Sequence, residues 1–188
     1  MEHSTLNKSA WSQAIILILS ILALAGAYLS QFAFDLYPCT YCIVARYVIS
    51  FIAVFSMIGT TLSFMILNTP SMKLRNIRIL SQIHLLMSFI VGLNIASGIY
   101  FSIKHYIVVF ENNFSCGKDA LQEHLNSLFL ARIWPSMYEA TGNCVDANYK
   151  LFNLIDYVHL PMMLYVIFLI LIIYSIVNSI KFNSFLKK

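Results

Sequence analysis

Cys39-Thr40-Tyr41-Cys42 is the pattern in this chain that carries the most chemistry. Two thiols at this spacing can close a small ring, and such a dithiol usually has one sulfur of lowered pKa, which suits it to redox exchange. Pro38, which has no backbone N–H, precedes it and suits the turn into a helix. A helix starting here places Cys42 in or near its first turn, where free N–H groups and the positive end of the helix dipole favour a thiolate. Arg46 follows Cys42 by four residues and so shares its helical face, one turn on. Its guanidinium can stabilise that thiolate or an anionic acceptor; the plainer alternative is an anchor that snorkels to the polar boundary. C-x-x-C is also half of a zinc ribbon, but such sites need a second close pair. The other two cysteines are 28 positions apart and no histidine has matching spacing, so zinc is not expected.

Cys116 and Cys144 make the second pair. Gly117 follows the first and Gly142-Asn143 precedes the second, so both sit in flexible contexts. One reading is a disulfide that staples a loop, the commoner use of cysteines in an exported segment. The other is a disulfide that exchanges with another protein and then with Cys39 and Cys42, which requires accessible sulfurs because exchange passes through mixed disulfides. Between them Leu121, Leu125, Leu128, Phe129 and Trp134 have helix-like spacing, with Gln122, Glu123, Asn126 and Ser127 interleaved. This pattern fits either an amphipathic helix lying on a membrane surface or the packing of a small loop domain.

The elements that hold these residues follow from composition. Of 188 residues 60% are hydrophobic and 11% charged, against about 25% charged in soluble domains. A chain this apolar cannot cover itself with polar groups, so its solvent is the bilayer. Four apolar runs, 11–34, 43–67, 79–103 and 160–180, each exceed the roughly 18–20 residues a helix needs to cross. Helices are required, because a single span must satisfy its own backbone hydrogen bonds. The expected fold is therefore all-α: a single four-span membrane domain over 1–188, a four-helix bundle with a short first outer loop, about 35–42, and a long second one, about 104–159. Ala23-Leu24-Ala25 resembles a signal-peptide cleavage site, but the apolar stretch continues to Phe34, which suits a retained span better.

Sidedness follows from lysine and arginine. Lys73, Arg75 and Arg78 lie between spans two and three with no acid, and Lys181, Lys187 and Lys188 follow span four. These mark the cytoplasmic side, and four spans put both termini there. All four cysteines then fall in the two outer loops, in the compartment where disulfides form and persist. The formal charge of +4 is accounted for by topology and does not imply an acidic partner.

Over nearly its whole length the chain resembles the bacterial disulfide bond formation protein B (DsbB) family. Pro38-Cys39-Thr40-Tyr41-Cys42 with Arg46 is similar to the family's P-C-x-x-C-x-x-x-R at the top of span two, and Gln31, eight residues before Cys39, also fits. Gly98 and His105 resemble its G-x-x-x-x-x-x-H, Ala140-Thr141-Gly142-Asn143-Cys144 its A-S-G-D-C type of motif, and Trp134-Pro135 fits as well. Tyr41 stands where leucine is common, Ala45 where a polar residue often precedes the arginine, and the stretch from Cys116 to Arg132 aligns poorly.

The resemblance implies an inner-membrane, quinone-dependent thiol oxidoreductase with redox-active pairs Cys39–Cys42 and Cys116–Cys144. Cys116 would form the mixed disulfide with a periplasmic DsbA-like thiol oxidase, and Cys144 would be its mate. Electrons would pass to Cys39 and Cys42, and from the Cys42 thiolate to ubiquinone or menaquinone, with Arg46, His105 and Gln31 beside the quinone. The chemistry is coherent, since reoxidising a strong oxidant needs a still stronger final acceptor, which cysteines alone do not provide. Three other readings make different demands. A paralogue would serve a dedicated partner. A vitamin K epoxide reductase-like protein would carry its active C-x-x-C on a later span. A non-enzymatic four-span scaffold would hold two inert loop disulfides and no quinone. A transporter has little support, because no span contains an acid or a broken pair of helices.

Overall fold

The computed structural model describes residues 2–33, 37–69, 74–110, 120–142, 150–151, 155–156 and 159–186. Four helices dominate it: α1 (Glu2–Ala33), α2 (Thr40–Asn68), α3 (Leu74–Phe110) and, last in the chain, α7 (His159–Phe185). Between α3 and α7 come three short helices, α4 (Ala120–Ser127), α5 (Phe129–Ile133) and α6 (Pro135–Tyr138), and two strands, β1 (Lys150–Leu151) and β2 (Ile155–Asp156). The strands pair antiparallel, Lys150 with Asp156 and Leu151 with Ile155.

Each long helix has an apolar stretch of 26 to 36 residues. At ~1.5 Å per residue even the shortest rises about 39 Å, more than the ~30 Å hydrocarbon core. Large apolar side chains point outward along all four, among them Leu22, Phe51, Leu93 and Ile170. In water that surface would be unfavourable; in lipid it is solvated. The protein is an all-α membrane protein with four spans.

Two helix ends run furthest beyond the apolar runs. α1 begins at Glu2, well before Trp11, and α3 continues through Lys104 and His105 to Phe110. Polar residues at a membrane boundary do not end a helix, because they can stay helical while their side chains reach water. The long loop therefore begins later than the apolar run indicated, and His105 is a helical residue.

The chain forms two compact units. One comprises residues 1–21, 51–96 and 167–188. Its buried apolar side chains include Leu6, Ile66 and Phe182, with Ile16, Ile52, Ile95 and Phe168, and a cluster of buried polar groups lies among them. The Ser9 hydroxyl lies 2.7 Å from that of Ser175 and 2.9 Å from that of Ser179. Gln13 Nε2 donates to Ser88 Oγ at 2.5 Å, and the hydroxyl of Ser179 is 3.1 Å from His84 Nδ1. Gly59 makes room for Gln13, since a Cβ there would run into the Gln13 amide oxygen. Between apolar helices in lipid such interhelical hydrogen bonds hold pairs in register, each contributing on the order of 0.6–2 kcal/mol.

The other unit comprises residues 22–50 and 97–166 and contains the C-x-x-C pair. Here Gly98 lets α3 approach α7: a Cβ on it would stand 2.5 Å from the ring of Tyr165, which is fully buried. Tyr165 in turn donates its hydroxyl to the Ala45 carbonyl of α2 at 3.3 Å.

Candidate functional site: a dithiol beside an apolar cavity

Cys39 is the N-cap of α2. Its carbonyl accepts the Ile43 N–H at 3.0 Å, and its sulfur accepts the Cys42 N–H at 3.3 Å, the contact a serine or aspartate cap usually makes. Pro38 ahead of it cannot extend the helix backwards. Cys42 thus occupies the first turn, as its position after Pro38 indicated. The two sulfurs are free thiols 2.8 Å apart, within about 1 Å of disulfide bonding distance. Cys39 is fully buried and Cys42 partly so. The Cys39 thiol is held well above the usual thiol range, first because its hydrogen is shared with Cys42 and second because it is buried.

His105 comes to this pair from α3. Gly98, Ser102 and His105 are buried on one stripe of that helix, at the i, i+4, i+7 positions that share a face. The imidazole Nε2 lies 3.6 Å from Cys39 Sγ, and its ring stacks on Tyr41, centroids 5.7 Å apart.

Arg46 is buried, with 4% of its surface exposed, so it is not a snorkelling anchor. One guanidinium nitrogen donates to Gln31 Oε1 at 2.9 Å and to the Met137 carbonyl at 2.7 Å. The other donates to the Ala27 carbonyl at 3.1 Å. Gln31 passes the link on, its Nε2 donating to the Ser136 carbonyl at 2.9 Å. The Tyr138 hydroxyl meets Ser50 Oγ at 2.6 Å, and Tyr47 accepts the Ala131 N–H at 3.2 Å. Arg46, Gln31, Tyr47 and Ser50 together dock α5 and α6 against α1 and α2.

The stretch from Leu121 to Trp134, whose helix-like spacing fitted either a surface amphipathic helix or the packing of a small loop domain, is divided by Leu128, and Pro135 begins α6. Trp134, before that proline, has φ −134° and ψ 69°, outside the helical region that a following proline disfavours. Leu125 and Ala131 are buried, while Phe129, Ile133 and Trp134 are exposed.

Beyond α6 the chain returns to the dithiol. Gln122 and Asn126 of α4 hold Ala140, through its carbonyl at 2.9 Å and its N–H at 3.0 Å. Thr141 and Gly142 then both donate their N–H groups to the Pro38 carbonyl, at 3.1 and 3.0 Å. Gly142 is required by this approach, because a Cβ would strike the Tyr37 carbonyl oxygen. Cys116 and Cys144 lie outside the described residues.

A cavity of ≈ 280 Å³ adjoins Cys42. Its walls are mostly apolar, including Leu22, Ala27, Ile49 and Leu164, and Cys42, Arg46 and His105 provide its polar side. Of the residues expected beside an acceptor, Arg46, Cys42 and His105 line it, whereas Gln31 supports Arg46 from behind. The docking partners Met137 and Tyr138, and the Pro38 carbonyl that receives residues 141 and 142, were not expected. Contacts across 91 and 88 positions to Arg46 and Ser50 leave no periodic trace in a sequence. The polar interior of the other unit did leave one: Ser56, Thr60 and Ser63, then Ser81, His84 and Ser88, recur at helical spacing in otherwise apolar runs.

A profile of the family described as disulfide bond formation protein DsbB matches residues 9–178. A disulfide bond formation protein B of Nitrosomonas eutropha is 31% identical over 144 residues, which cover 74% of this chain and 80% of the relative. One from Burkholderia ambifaria is 27% identical over 157 residues, 82% of this chain and 83% of the relative. No solved structure matches the chain significantly.

Proposed function

Because this chain belongs to the disulfide bond formation protein DsbB family and is a multi-pass membrane thiol oxidoreductase, we propose that it moves electrons from a DsbA-like thiol oxidase, through its two cysteine pairs, to ubiquinone or menaquinone. In this reading the membrane is the bacterial inner membrane, both termini are cytoplasmic and the cysteines are periplasmic. The observation that carries the proposal is the free dithiol at the start of α2, with Cys42, Arg46 and His105 on the wall of one apolar cavity. An inert loop disulfide would need neither the cavity nor the buried guanidinium.

The partner's dithiol attacks the Cys116–Cys144 disulfide, forms a mixed disulfide on Cys116, and leaves as a disulfide with Cys116 and Cys144 reduced. A second pair of exchanges passes the two electrons to a Cys39–Cys42 disulfide and closes Cys116–Cys144 again. The docking of Thr141 and Gly142 on the Pro38 carbonyl supports this step, since Gly142 is two residues before Cys144 and Pro38 is adjacent to Cys39. With Cys39 keeping its proton, Cys42 faces the cavity as the nucleophile, at the positive end of α2 and one turn from Arg46.

The cavity fits a quinone headgroup in size and chemistry: it lies just below the usual range of small-molecule sites, ~300–1,000 Å³, and is apolar with a polar side. A quinone there supplies the acceptor for the two electrons and two protons released when Cys39 and Cys42 close. Arg46 and His105 would hold its oxygens, and the leucine and isoleucine walls exclude water. The test is trapping. A Cys144→Ala variant should accumulate a mixed disulfide between Cys116 and a soluble dithiol oxidase, whereas Cys116→Ala should not. A Cys144→Ala variant that folds but forms no adduct, or an adduct on Cys144 in Cys116→Ala, would overturn the assigned order.

A further inference from the structure

We propose that the reduced dithiol is also a zinc site, with Cys39 Sγ, Cys42 Sγ and His105 Nε2 as three ligands, and that Zn²⁺ bound there holds the protein in its reduced, inactive form. The inference rests on the C-x-x-C pair being redox-active, not on which oxidant or partner serves it.

The cysteine spacing argued against zinc, because no second close pair accompanies C-x-x-C and no histidine has matching spacing. The fold removes that objection by bringing His105 from α3, 66 positions away from Cys39. The three donor atoms lie within 4.8 Å of one another. In a tetrahedral site with Zn–S of about 2.3 Å and Zn–N of about 2.0–2.1 Å, a sulfur and a nitrogen ligand stand roughly 3.6 Å apart and two sulfurs roughly 3.8 Å. The observed Cys39–His105 separation is 3.6 Å. The sulfurs, at 2.8 Å, must separate by about 1 Å, a movement a Cys42 χ1 adjustment supplies. Cys42, the less buried of the two, faces the cavity and has the room.

The surroundings fit a metal with an open position. His105 is held by its stack on Tyr41, so its ring needs no new ordering. The cavity bordered by Tyr41, Cys42 and His105 leaves the fourth coordination position to water or another small ligand, the three-ligand pattern of open zinc sites. Two thiolates and a neutral imidazole carry charge −2 and balance Zn²⁺, and binding releases the two thiol protons. Arg46 nearby opposes the dication but favours the dithiolate it requires. No electrons move. The disulfide form, with both sulfurs bonded to each other, has no thiolates to offer, so the site exists in one redox state only.

The test uses the full-length chain in detergent with Cys116→Ser and Cys144→Ser, so that the second pair cannot bind metal. The reduced protein, freed of reductant without oxygen, is titrated with Zn²⁺ against a chromogenic chelator and with Co²⁺ as a spectroscopic probe. We expect one equivalent of either metal, with thiolate-to-cobalt charge-transfer and intense tetrahedral d–d absorption. The same protein with its disulfide closed should bind none, a comparison that needs no further substitution. Cys39→Ser should abolish the thiolate signal of the paired site, and His105→Ala should weaken binding at least about tenfold. Saturating Zn²⁺ should slow disulfide closure by more than tenfold, and a chelator should restore it. Absence of cobalt–thiolate absorption from the reduced protein, or unchanged affinity in His105→Ala, would overturn the three-ligand site. Binding that leaves closure unaffected would overturn the inhibitory role. Because metal binding is read without quinone or partner, failure here and failure of the proposed electron route are separate outcomes.

Discussion

Replacing Arg46 should release the docked segment that follows α4. Its guanidinium satisfies Met137 O, Gln31 Oε1 and Ala27 O, and Gln31 holds Ser136 O from the same position. The Ala27 carbonyl belongs to α1 and does not contribute to docking, which leaves two acceptors that tie α6 down directly or through Gln31. Each buried acceptor left without a donor costs about 1–3 kcal/mol. Taking about 1–1.5 kcal/mol, the low end of that range, for each of two acceptors gives ~2–3 kcal/mol, or roughly 30- to 150-fold in the local opening equilibrium at about 1.4 kcal/mol per decade. The assay is amide hydrogen exchange at Trp134, Met137, Tyr138 and Glu139, whose N–H groups bond to Trp134 or to Leu130 and Pro135 carbonyls. In Arg46→Ala these amides should exchange faster by that factor. In Arg46→Lys, which keeps the charge but loses the planar fork, the gain should be roughly fivefold. The amides around Ser81–Ser88, in the other compact unit, provide the control for general unfolding. Unchanged protection at 134–139, with that control also unchanged, would show that Arg46 does not hold the segment.

Gly98→Ala should lower thermal stability by about 1–3 kcal/mol, because the added methyl meets a fully buried Tyr165 ring that has nowhere to move; an unchanged unfolding midpoint would contradict this packing. Gly142→Ala should slow exchange between the two cysteine pairs while leaving oxidation of a chemically reduced Cys39–Cys42 pair near wild type, since the methyl collides with the Tyr37 carbonyl but lies outside the cavity lining; rapid-quench counting of thiols in each pair distinguishes the two rates. Alkylation of Cys39 should titrate above the ordinary thiol pKa of about 8.5, and the midpoint should fall in Cys42→Ala, which removes the largest cause of the shift. The raised value also sets a sign for stability: between the unfolded and folded pKa the folded state binds more protons, so the reduced protein should lose stability as pH rises above about 8.5, and a flat profile from neutral pH to strongly alkaline pH would count against the shift.

Much of this fold was legible because lipid imposes a coarse rule, one long apolar run per span, and four runs became four helices. What the rule could not locate were the ends. Helical hydrogen bonding continues through residues such as Lys104 and His105 that hydropathy treats as loop, so a histidine of the dithiol site was assigned to the loop. The dithiol itself was readable because C-x-x-C, Pro38 and Arg46 are local, and local spacing on a helix fixes geometry. The targets of Arg46 were not readable, since two are backbone carbonyls, which carry no residue identity. The end of α5 at Trp134 was marked by Pro135, whose effect on Trp134 is a local steric one; the division at Leu128 has no such marker, and apolar periodicity across 121–134 hid it. His105 near the cysteines was hidden for the same reason as the targets of Arg46: it arrives from another part of the chain.

The account stands most directly on a stoichiometry. Chain carrying Cys116→Ala and Cys144→Ala, reduced and freed of reductant without oxygen, is mixed with a short-chain ubiquinone, and quinol is measured alongside remaining thiols. The account predicts one quinol formed for each Cys39–Cys42 disulfide closed, and none in a Cys42→Ala chain. Thiols that stay reduced in the presence of quinone, in protein shown to be folded, would contradict it.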